Sequence, residues 1–488
     1  MKKGASWIAA GYRALATADL RSLALLRIAL GIVVVSDLVV SWTNVEVFYT
    51  DAGVLPRQLL HATCWPGAGA WSLHEWSGEA SWQYFLLAIG LLAGVAMTLG
   101  WHSRTAVVVT TILWGSLETR NTMIINGADP AIRMLLFWMM FLPTGTVWSI
   151  DQLKKGRPAS MVVTALPVVC LWIQIGSIYF YSALLKTDHT WTKDFTAVWQ
   201  VMHADVFARQ AAVWLRLFPE VCRSLTQCTV WLELYGPLLL LIPFWTGLFR
   251  TIAVVLFIGF HLGIAVTMDI GSFPWAMTSA WCAAIPSYVW SRRKSTPTVA
   301  TNPLGNAWIR WTRDTACLLC IIYITLWNIR TTAFKRWEKW LPKETNPIGY
   351  ALRVDQFWTM FAPYPWLDDG WFVLAAKLTD GTEVDLLKPH QEPTEQKPPH
   401  SSSDYKDSRW QKYLCNLWMS QHERHRRYLA DYLVKKWNRE HGVLGQVERW
   451  ELAYMLERTR KDGKRIEPIT KHVVLRSPRP KPAPMPTN

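Results

Sequence analysis

One lysine ends a long apolar segment of this chain. In "YFYSALLKTDHTW" (179–191), Lys186 follows a run of about 20 residues whose composition suits lipid. A lysine at such a position usually extends to the membrane interface as an anchor. The segment after it, "TDHTWTKDFTAVWQVMHADVF", instead indicates an amphipathic or reentrant cover. Desolvation beneath a cover disfavours the charged amine, and a neutral amine can accept a proton. The sequence leaves both roles open, anchor and general base.

Ionisable side chains also occur inside the apolar segments. Arg27 and Asp37 in "LLRIALGIVVVSDLVV" are about 15 Å apart along a helix, so they cannot pair with each other. Glu233 lies in the apolar stretch "WLELYGPLLLLIP". Charges within spanning helices usually face the bundle interior and have a partner. We therefore expect Arg27, Asp37 and Glu233 to be structural polar residues.

A second polar cluster lies at a helix entrance, in "NTMIINGADPAIRMLL". A helix start exposes backbone N–H groups, which can bind an anion or a polarised carbonyl. This makes Asn121, Asn126 and Arg133 candidate cofactor-binding residues. For Asp129, beside the helix-initiating Pro130, capping is the commoner role, and we expect it to be structural.

His261 lies in the apolar stretch "GFHLGIAVTMDIGSFPW", with Asp269 about two turns further on. A lone histidine within a membrane segment is more often hydrogen-bonded structure than a ligand, but we keep His261 as a candidate cofactor contact. No second histidine at metal spacing accompanies it. The sequence therefore predicts no metal site.

Composition identifies the class of protein. The chain has 488 residues, of which 51% are hydrophobic and only 18% charged, and it contains 31 tryptophans. These values are typical of a membrane protein rather than a soluble domain. The net charge of +15 is what basic residues flanking apolar spans produce, so nucleic-acid binding is not predicted.

A spanning helix needs about 20 apolar residues. Runs of this kind predict about nine spans, at residues 22–42, 83–100, 104–118, 131–148, 159–182, 228–245, 250–268, 273–290 and 314–332. Basic residues lie in alternate connections, which should face the cytoplasm with the N-terminal leader. The 43–82 loop, the 119–130 loop, the 183–227 segment and Asp269 should face outward. An odd number of crossings places the tail outside as well, and we expect a multi-pass protein of a bacterial inner membrane.

The sequence predicts a mainly α fold in which a helix bundle precedes a smaller α+β tail. Its expected parts are a cytoplasmic leader (1–21), the transmembrane bundle (22–332), an extracytoplasmic α+β domain (333–475) and a disordered end (476–488). Within the tail, "VLAAKLTDGTEVDLL" predicts a β-hairpin. "KPHQEPTEQKPPHSSSDYKD" (388–407) is typical of an unpacked linker, two amphipathic helices should follow it, and "VERWELAYMLERT" alternates like a strand.

The cysteines are scattered along the chain. Cys317 and Cys320 form a CxxC inside the apolar run "ACLLCIIYITLW", where packing is a commoner role than redox or metal chemistry. Cys64 could form a disulfide with Cys222 or Cys228 on the outer face, but spacing does not determine the pairing.

Several stretches together resemble one family. They are "FYTDAGVLP", "SLHEW", "RNTMIINGADPAIRMLLFWMMFLPTG" with "WSID", "YFYSALLKTDHTW", "ELYGPLLLL", "HLGIAVTMDIGSFPW", "QFWTMFAPYP" and "RWQKYL", in this order over residues 48–414. This ordered set resembles the HTTM (horizontally transferred transmembrane domain) proteins, which are related to vitamin K-dependent γ-glutamyl carboxylase.

The resemblance implies a role for Lys186 as the base that deprotonates a vitamin K-type hydroquinone, such as menaquinol. O2 would oxygenate the quinol, the strongly basic product would remove the γ-proton of a glutamate, and CO2 would capture the carbanion. Such chemistry needs a dry cavity. The substrate would be a protein or peptide on the outer face of the bilayer, and the activity would be that of a carboxylase and quinone epoxidase of the lyase class.

One part of the family pattern differs here. The carboxylase has a histidine shortly before its "WSVD"-like stretch, whereas this region has Asn121, Asn126 and Asp129 and no histidine. An amide or a helix N-terminus would have to replace that imidazole. The alternative to an enzyme is a non-enzymatic membrane partner in the maturation, export or immunity of another protein, with its sensitive residues around Trp410 or Trp437.

Overall fold

The computed structural model describes residues 2–156, 158, 160–290, 306–332, 339–389, 391–398, 401–460 and 466–477. The helices of the first part of the chain are α1 (Lys2–Ala16), α2 (Leu20–Trp42), α3 (Val45–Phe48), α4 (Arg57–Thr63), α5 (Ala80–Leu99), α6 (Ser103–Arg120), α7 (Ala128–Met139), α8 (Ile150–Lys155) and α9 (Leu166–Leu185). Those that follow are α10 (His189–Thr192), α11 (Ala197–Met202), α12 (Gln210–Leu215), α13 (Pro219–Tyr235), α14 (Thr246–Thr267), α15 (Phe273–Cys282), α16 (Ser287–Trp290) and α17 (Ala307–Thr331).

The C-terminal part combines helices and strands. Its helices are α18 (Asn346–Leu352), α19 (Ser408–Trp418) and α20 (Glu423–Glu440). Strands β1 (Thr17–Asp19) and β2 (Val162–Thr164) pair near the start of the bundle, whereas β3 (Asp368–Leu378), β4 (Glu383–Asp385), β5 (Val447–Arg458) and β6 (Thr470–Arg476) form an antiparallel sheet in the order β4-β3-β5-β6. Short 3₁₀ turns lie at Leu73–Glu75, Thr122–Ile124, Gly236–Leu241, Lys343–Thr345, Ser401–Asp404, Ser420–His422 and Val443–Gly445.

The membrane-spanning character of the bundle is confirmed in part. Among the described residues, four helices are long and apolar enough to cross a membrane, namely α2, α5, α9 and α14. The other predicted spans coincide with helices that are shorter or more polar. At 12 and 10 residues, α7 and α15 fall below the roughly 20 that one crossing needs. A count of about nine crossings therefore stays a prediction.

One end of the bundle gathers the segments that the charge pattern assigns to the cytoplasm. The strand after α1 pairs with the strand before α9, Thr17 opposite Thr164. Arg250 at the start of α14 donates to the carbonyls of Ala14, Leu15 and Thr17. The end of α1 and the strand that follows it are thus held against the bundle.

The C-terminal domain covers the opposite end, where it meets each segment that the sequence predicts to face outward. Lys406 donates to Asn44 in the 43–82 loop. Gln411 donates to the carbonyls of Val206 and Asp269. Arg409 reaches the carbonyl of Ile124. The structure therefore groups these segments on one side of the bundle, as the sequence predicts.

Most secondary-structure predictions for the tail are confirmed. The hairpin forms as β3 and β4 around the Asp380–Gly381 turn, in which Gly381 has a φ of 89°. The two amphipathic helices are α19 and α20, and the alternating segment is β5. Strand β6 was not predicted, and most of the predicted disordered end (478–488) lies outside the described residues.

The prediction of an unpacked linker at 388–407 is wrong for its second part. Lys397 forms ion pairs with Asp205 and Glu457, and the hydroxyl of Ser402 donates to the carbonyl of Ala208. Proline and serine make this segment irregular, but Lys397 neutralises two partly buried carboxylates. The segment therefore packs along the bundle end instead of crossing solvent.

The predicted disulfide does not form. All eight cysteines lie within the described residues and are free thiols. Cys222 is buried beside the carbonyl of Leu215, and Cys64 faces His425 of the C-terminal domain instead. Cys317 is buried within α17, where Cys170 contacts its carbonyl, which agrees with a packing role.

Asp369, at the start of β3, is a buried carboxylate at the junction between the domain and the bundle. Its oxygens accept N–H groups of Asp205 and Val206. Burial, together with the charge of Asp205, raises the pKa of Asp369 from 3.8 to about 7, although Lys397 and the N–H groups act in the opposite direction.

This raised pKa predicts a pH-dependent stability. The folded state binds the Asp369 proton more tightly than the unfolded chain, so this contribution is complete below pH 3.8 and is lost as pH rises through about 7. Relative to Asp369→Asn, which does not titrate, the wild type should lose at most about 4 kcal/mol of unfolding free energy over that interval. Thermal unfolding midpoints in detergent at several pH values measure this loss. Asp380→Asn in the exposed turn is the control, and a wild-type midpoint that rises relative to Asp369→Asn would contradict the prediction.

Candidate functional site

Lys186 is shielded from water and paired with a carboxylate. It follows the last residue of α9, and its side chain is only 2% exposed. Its Nζ lies 2.6 Å from Oε2 of Glu233 and donates to Oγ of Ser182 at 2.7 Å. The ammonium therefore does not extend to the interface as an anchor would.

The cover over Lys186 is built by the chain that follows it. Asp188 caps the short helix α10 by accepting the N–H of Thr190. This turn places the ring of Trp191 with its centroid 5.1 Å from Lys186 Nζ, and the indole N–H donates to the carbonyl of Phe361. The predicted cover is thus present, held in place by the loop that precedes β3.

Glu233, predicted to be structural, supplies the other half of the pair. It projects from α13, which packs against α9, and its side chain is 8% exposed. An isolated charge at either position would be costly, because a low-dielectric interior does not solvate it. The pair exists because each residue offsets the desolvation of the other.

His261 belongs to an aromatic group on the same side of α9. Its Nε2 lies 2.6 Å from the hydroxyl of Tyr179, which also accepts the indole N–H of Trp281 at 2.7 Å. Tyr179 precedes Lys186 by about two helical turns. Within the described residues, Nδ1 of His261 is buried and has no hydrogen-bond partner. The imidazole therefore keeps one nitrogen available for a ligand.

Arg133 lies in a separate buried cluster. Its guanidinium contacts Glu118 at 2.9 Å and Asp355 at 2.8 Å, and Arg353 approaches the same Glu118 oxygen at 2.7 Å. These four side chains line a cavity of about 320 Å³, together with aromatic rings that include Trp327. Lys186 is not among the residues that line this cavity.

A third cluster joins the bundle to the C-terminal domain. Arg409, near the start of α19, forms ion pairs with Asp37 at 3.1 Å and with Asp129 at 2.8 Å. Asp37 also accepts the hydroxyl of Ser272. The three charged side chains are at most 4% exposed. Asp37 and Asp129 thus share a cation that comes from the tail and not from a neighbouring span.

Asn121 and Asn126, the two asparagines predicted to bind a cofactor, form hydrogen bonds with backbone groups. Asn121 donates to the carbonyl of Phe48 and accepts the N–H of Met123. Asn126 accepts the N–H of Ala128 at the start of α7. Arg27 likewise has a backbone role, donating to the carbonyls of Met97, Thr98, Thr144 and Trp148.

The candidate residues therefore divide among different places. Lys186 and Glu233 are together, and His261 is linked to the same helix through Tyr179, whereas Arg133 and the asparagines lie elsewhere. Sequence reasoning missed Ser182, Glu118, Arg353 and Arg409. Ser182 could have been found, because a residue four positions before Lys186 lies on the same helix face. The other three depend on contacts between distant segments.

The Arg409 cluster predicts a large effect on stability. Arg409→Met leaves two buried carboxylates without a cation, and breaking such a pair costs about 3–5 kcal/mol. The thermal unfolding midpoint in detergent should fall clearly, and adding Asp37→Asn with Asp129→Asn should restore part of the loss. Arg427→Met, which removes an exposed pair with Asp431, is the matched control and should cost under about 1 kcal/mol. Equal, small shifts for Arg409→Met and Arg427→Met would disprove the assigned role of Arg409.

Among known proteins, this chain matches a family model. The HTTM domain model matches residues 15–285, more than half of the chain. No curated protein and no solved structure matches it. The match spans α2 to α15 and includes Lys186, Glu233 and His261. With its long apolar helices, this chain is a membrane protein that belongs to the HTTM domain family.

Proposed function

We propose that this protein is a membrane enzyme of the vitamin K-dependent γ-carboxylase type, in which Lys186 and Glu233 act together as an acid–base unit on a bound quinol. The observation that carries the proposal is the 2.6 Å pair between Lys186 Nζ and Glu233 Oε2, away from water. Its co-reactants would be O2 and CO2.

The pairing suggests how a proton is accepted. A lysine beside a carboxylate is stabilised as the ammonium, and an ammonium cannot accept a proton. The acceptor is therefore the carboxylate of Glu233, while Lys186 Nζ keeps its charge and stabilises the anion that forms. Ser182 orients the ammonium by accepting a hydrogen bond from Lys186 Nζ.

The surrounding residues fit a quinol in chemical character. When bound, a quinol would supply an acidic hydroxyl and the electrons that reduce dioxygen. Nδ1 of His261, which is buried without a partner among the described residues, would hydrogen-bond one polar end of such a ring. Trp191 and the segment around it exclude water. This exclusion is needed because water would quench a strongly basic intermediate.

The charge pattern supports an orientation. With the basic connections in the cytoplasm, about nine crossings place the C-terminal domain outside an inner membrane. A protein or peptide substrate would then approach from the outer face, where the domain and the cover over Lys186 lie. Trp410 and Trp437, the positions expected to be sensitive in a partner role, donate their indole N–H groups within the protein, to Asn44 and to Gly445.

The proposal predicts a loss of turnover on substitution of Lys186. Lys186→Met should reduce quinol-dependent, oxygen-dependent modification of a glutamate peptide by roughly 100-fold or more, the usual contribution of an acid–base group. The assay uses the full-length protein in lipid nanodiscs with menaquinol, measures epoxide formation and CO2 incorporation, and identifies bound quinone by mass spectrometry. Lys193→Met, at an exposed lysine in the same segment, is the control and should keep turnover.

Loss of folding must be separated from loss of chemistry. Lys186→Met leaves Glu233 buried without its cation, so the double variant Lys186→Met with Glu233→Gln removes both charges and should recover stability without activity. If the wild type carries no quinone and all variants behave alike, the protein acts as a non-enzymatic partner instead.

A further inference from the structure

The structure brings one cysteine and two histidines together at the junction between the 43–82 loop and the C-terminal domain. Cys64 follows α4, His422 precedes α20, and His425 lies in the first turn of α20. One ligand atom from each lies within 4.8 Å of the others. Cys64 and His425 are 361 residues apart in sequence, so spacing alone cannot reveal the group.

The distances suit a metal ion. Cys64 Sγ lies 3.7 Å from His425 Nε2. A tetrahedral zinc ion with Zn–S of about 2.3 Å and Zn–N of about 2.0 Å separates those two atoms by roughly 3.6 Å. The two imidazole rings are 5.5 Å apart and nearly perpendicular, at 78°. A small movement of His422 would complete the three-ligand set.

Among the described residues, Nε2 of His425, the nitrogen that would bind the ion, contacts the thiol of Cys64, which is itself a proposed ligand. His425 is fully buried, and Nδ1 of both rings has no hydrogen-bond partner within the part of the chain that the structure describes. A buried polar atom without a partner costs about 1–3 kcal/mol. Neither ring donates to a carbonyl or a carboxylate among the described residues, which distinguishes them from histidines held by ordinary hydrogen bonds.

We propose that Cys64, His422 and His425 form a site for a zinc-class transition-metal ion that joins the 43–82 loop to the C-terminal domain. Thiolate and imidazole are the ligands that zinc prefers, and three protein ligands leave the fourth position to water. On binding, the thiol proton of Cys64 passes to solvent. This inference goes against the sequence-based expectation of no metal.

Metal analysis of the full-length protein in detergent tests the site. After dialysis against zinc and gel filtration, the wild type should retain about one zinc ion per chain. Cys64→Ser and His425→Gln should lower the retained zinc by roughly tenfold or more, whereas Cys228→Ser, at an exposed cysteine, should leave it unchanged. Wild-type zinc content in Cys64→Ser would overturn the proposal.

A second measurement uses the wild type alone and does not depend on the folding of a variant. Zinc should protect Cys64 from alkylation, and a chelator should remove that protection, while Cys228 is alkylated in both cases. Cobalt in place of zinc should give a thiolate-to-metal charge-transfer band in the near ultraviolet. Equal alkylation of Cys64 with and without zinc, together with the absence of that band, would exclude the site.

Discussion

Charge that is kept from water needs a counter-charge or hydrogen-bond acceptors, and this requirement joins distant parts of the molecule. Lys186 on α9 is held by Glu233 on α13, and Arg409 of the C-terminal domain neutralises Asp37 and Asp129 of the bundle. Each pair joins segments that are far apart in sequence. Because an unpaired ion in a low-dielectric interior is so costly, these pairs favour one arrangement of the helices.

The same requirement shapes the candidate chemistry. A buried lysine without a partner would be neutral and would itself be the base, as the sequence suggested. With Glu233 beside it, we propose that the lysine contributes charge, while the carboxylate accepts the proton. Two structural features, the cover around Trp191 and the close carboxylate, thus lead to a base that is dry and has its counter-ion already in place.

Sequence reasoning succeeded where local pattern decides the structure. Apolar runs located the bundle helices, the Asp380–Gly381 turn located the hairpin, and the residues after Lys186 indicated its cover. It failed where distant segments meet. Arg409 lies in a helix whose pattern is only amphipathic, Cys64 was considered for a disulfide and not for contact with His425, and the short strand β6 was not predicted. Those features depend on tertiary contacts, which no local periodicity encodes.

The central claim is that Glu233, held beside Lys186, accepts a proton from a bound quinol. Infrared difference spectroscopy of the protein in nanodiscs, recorded on adding menaquinol under anaerobic conditions, tests it most directly. The account predicts a new protonated-carboxyl C=O band that disappears in Glu233→Gln and is unchanged in Glu220→Gln, a variant at an exposed position on the same helix. A spectrum without that band, or one in which the band survives Glu233→Gln, would contradict the account.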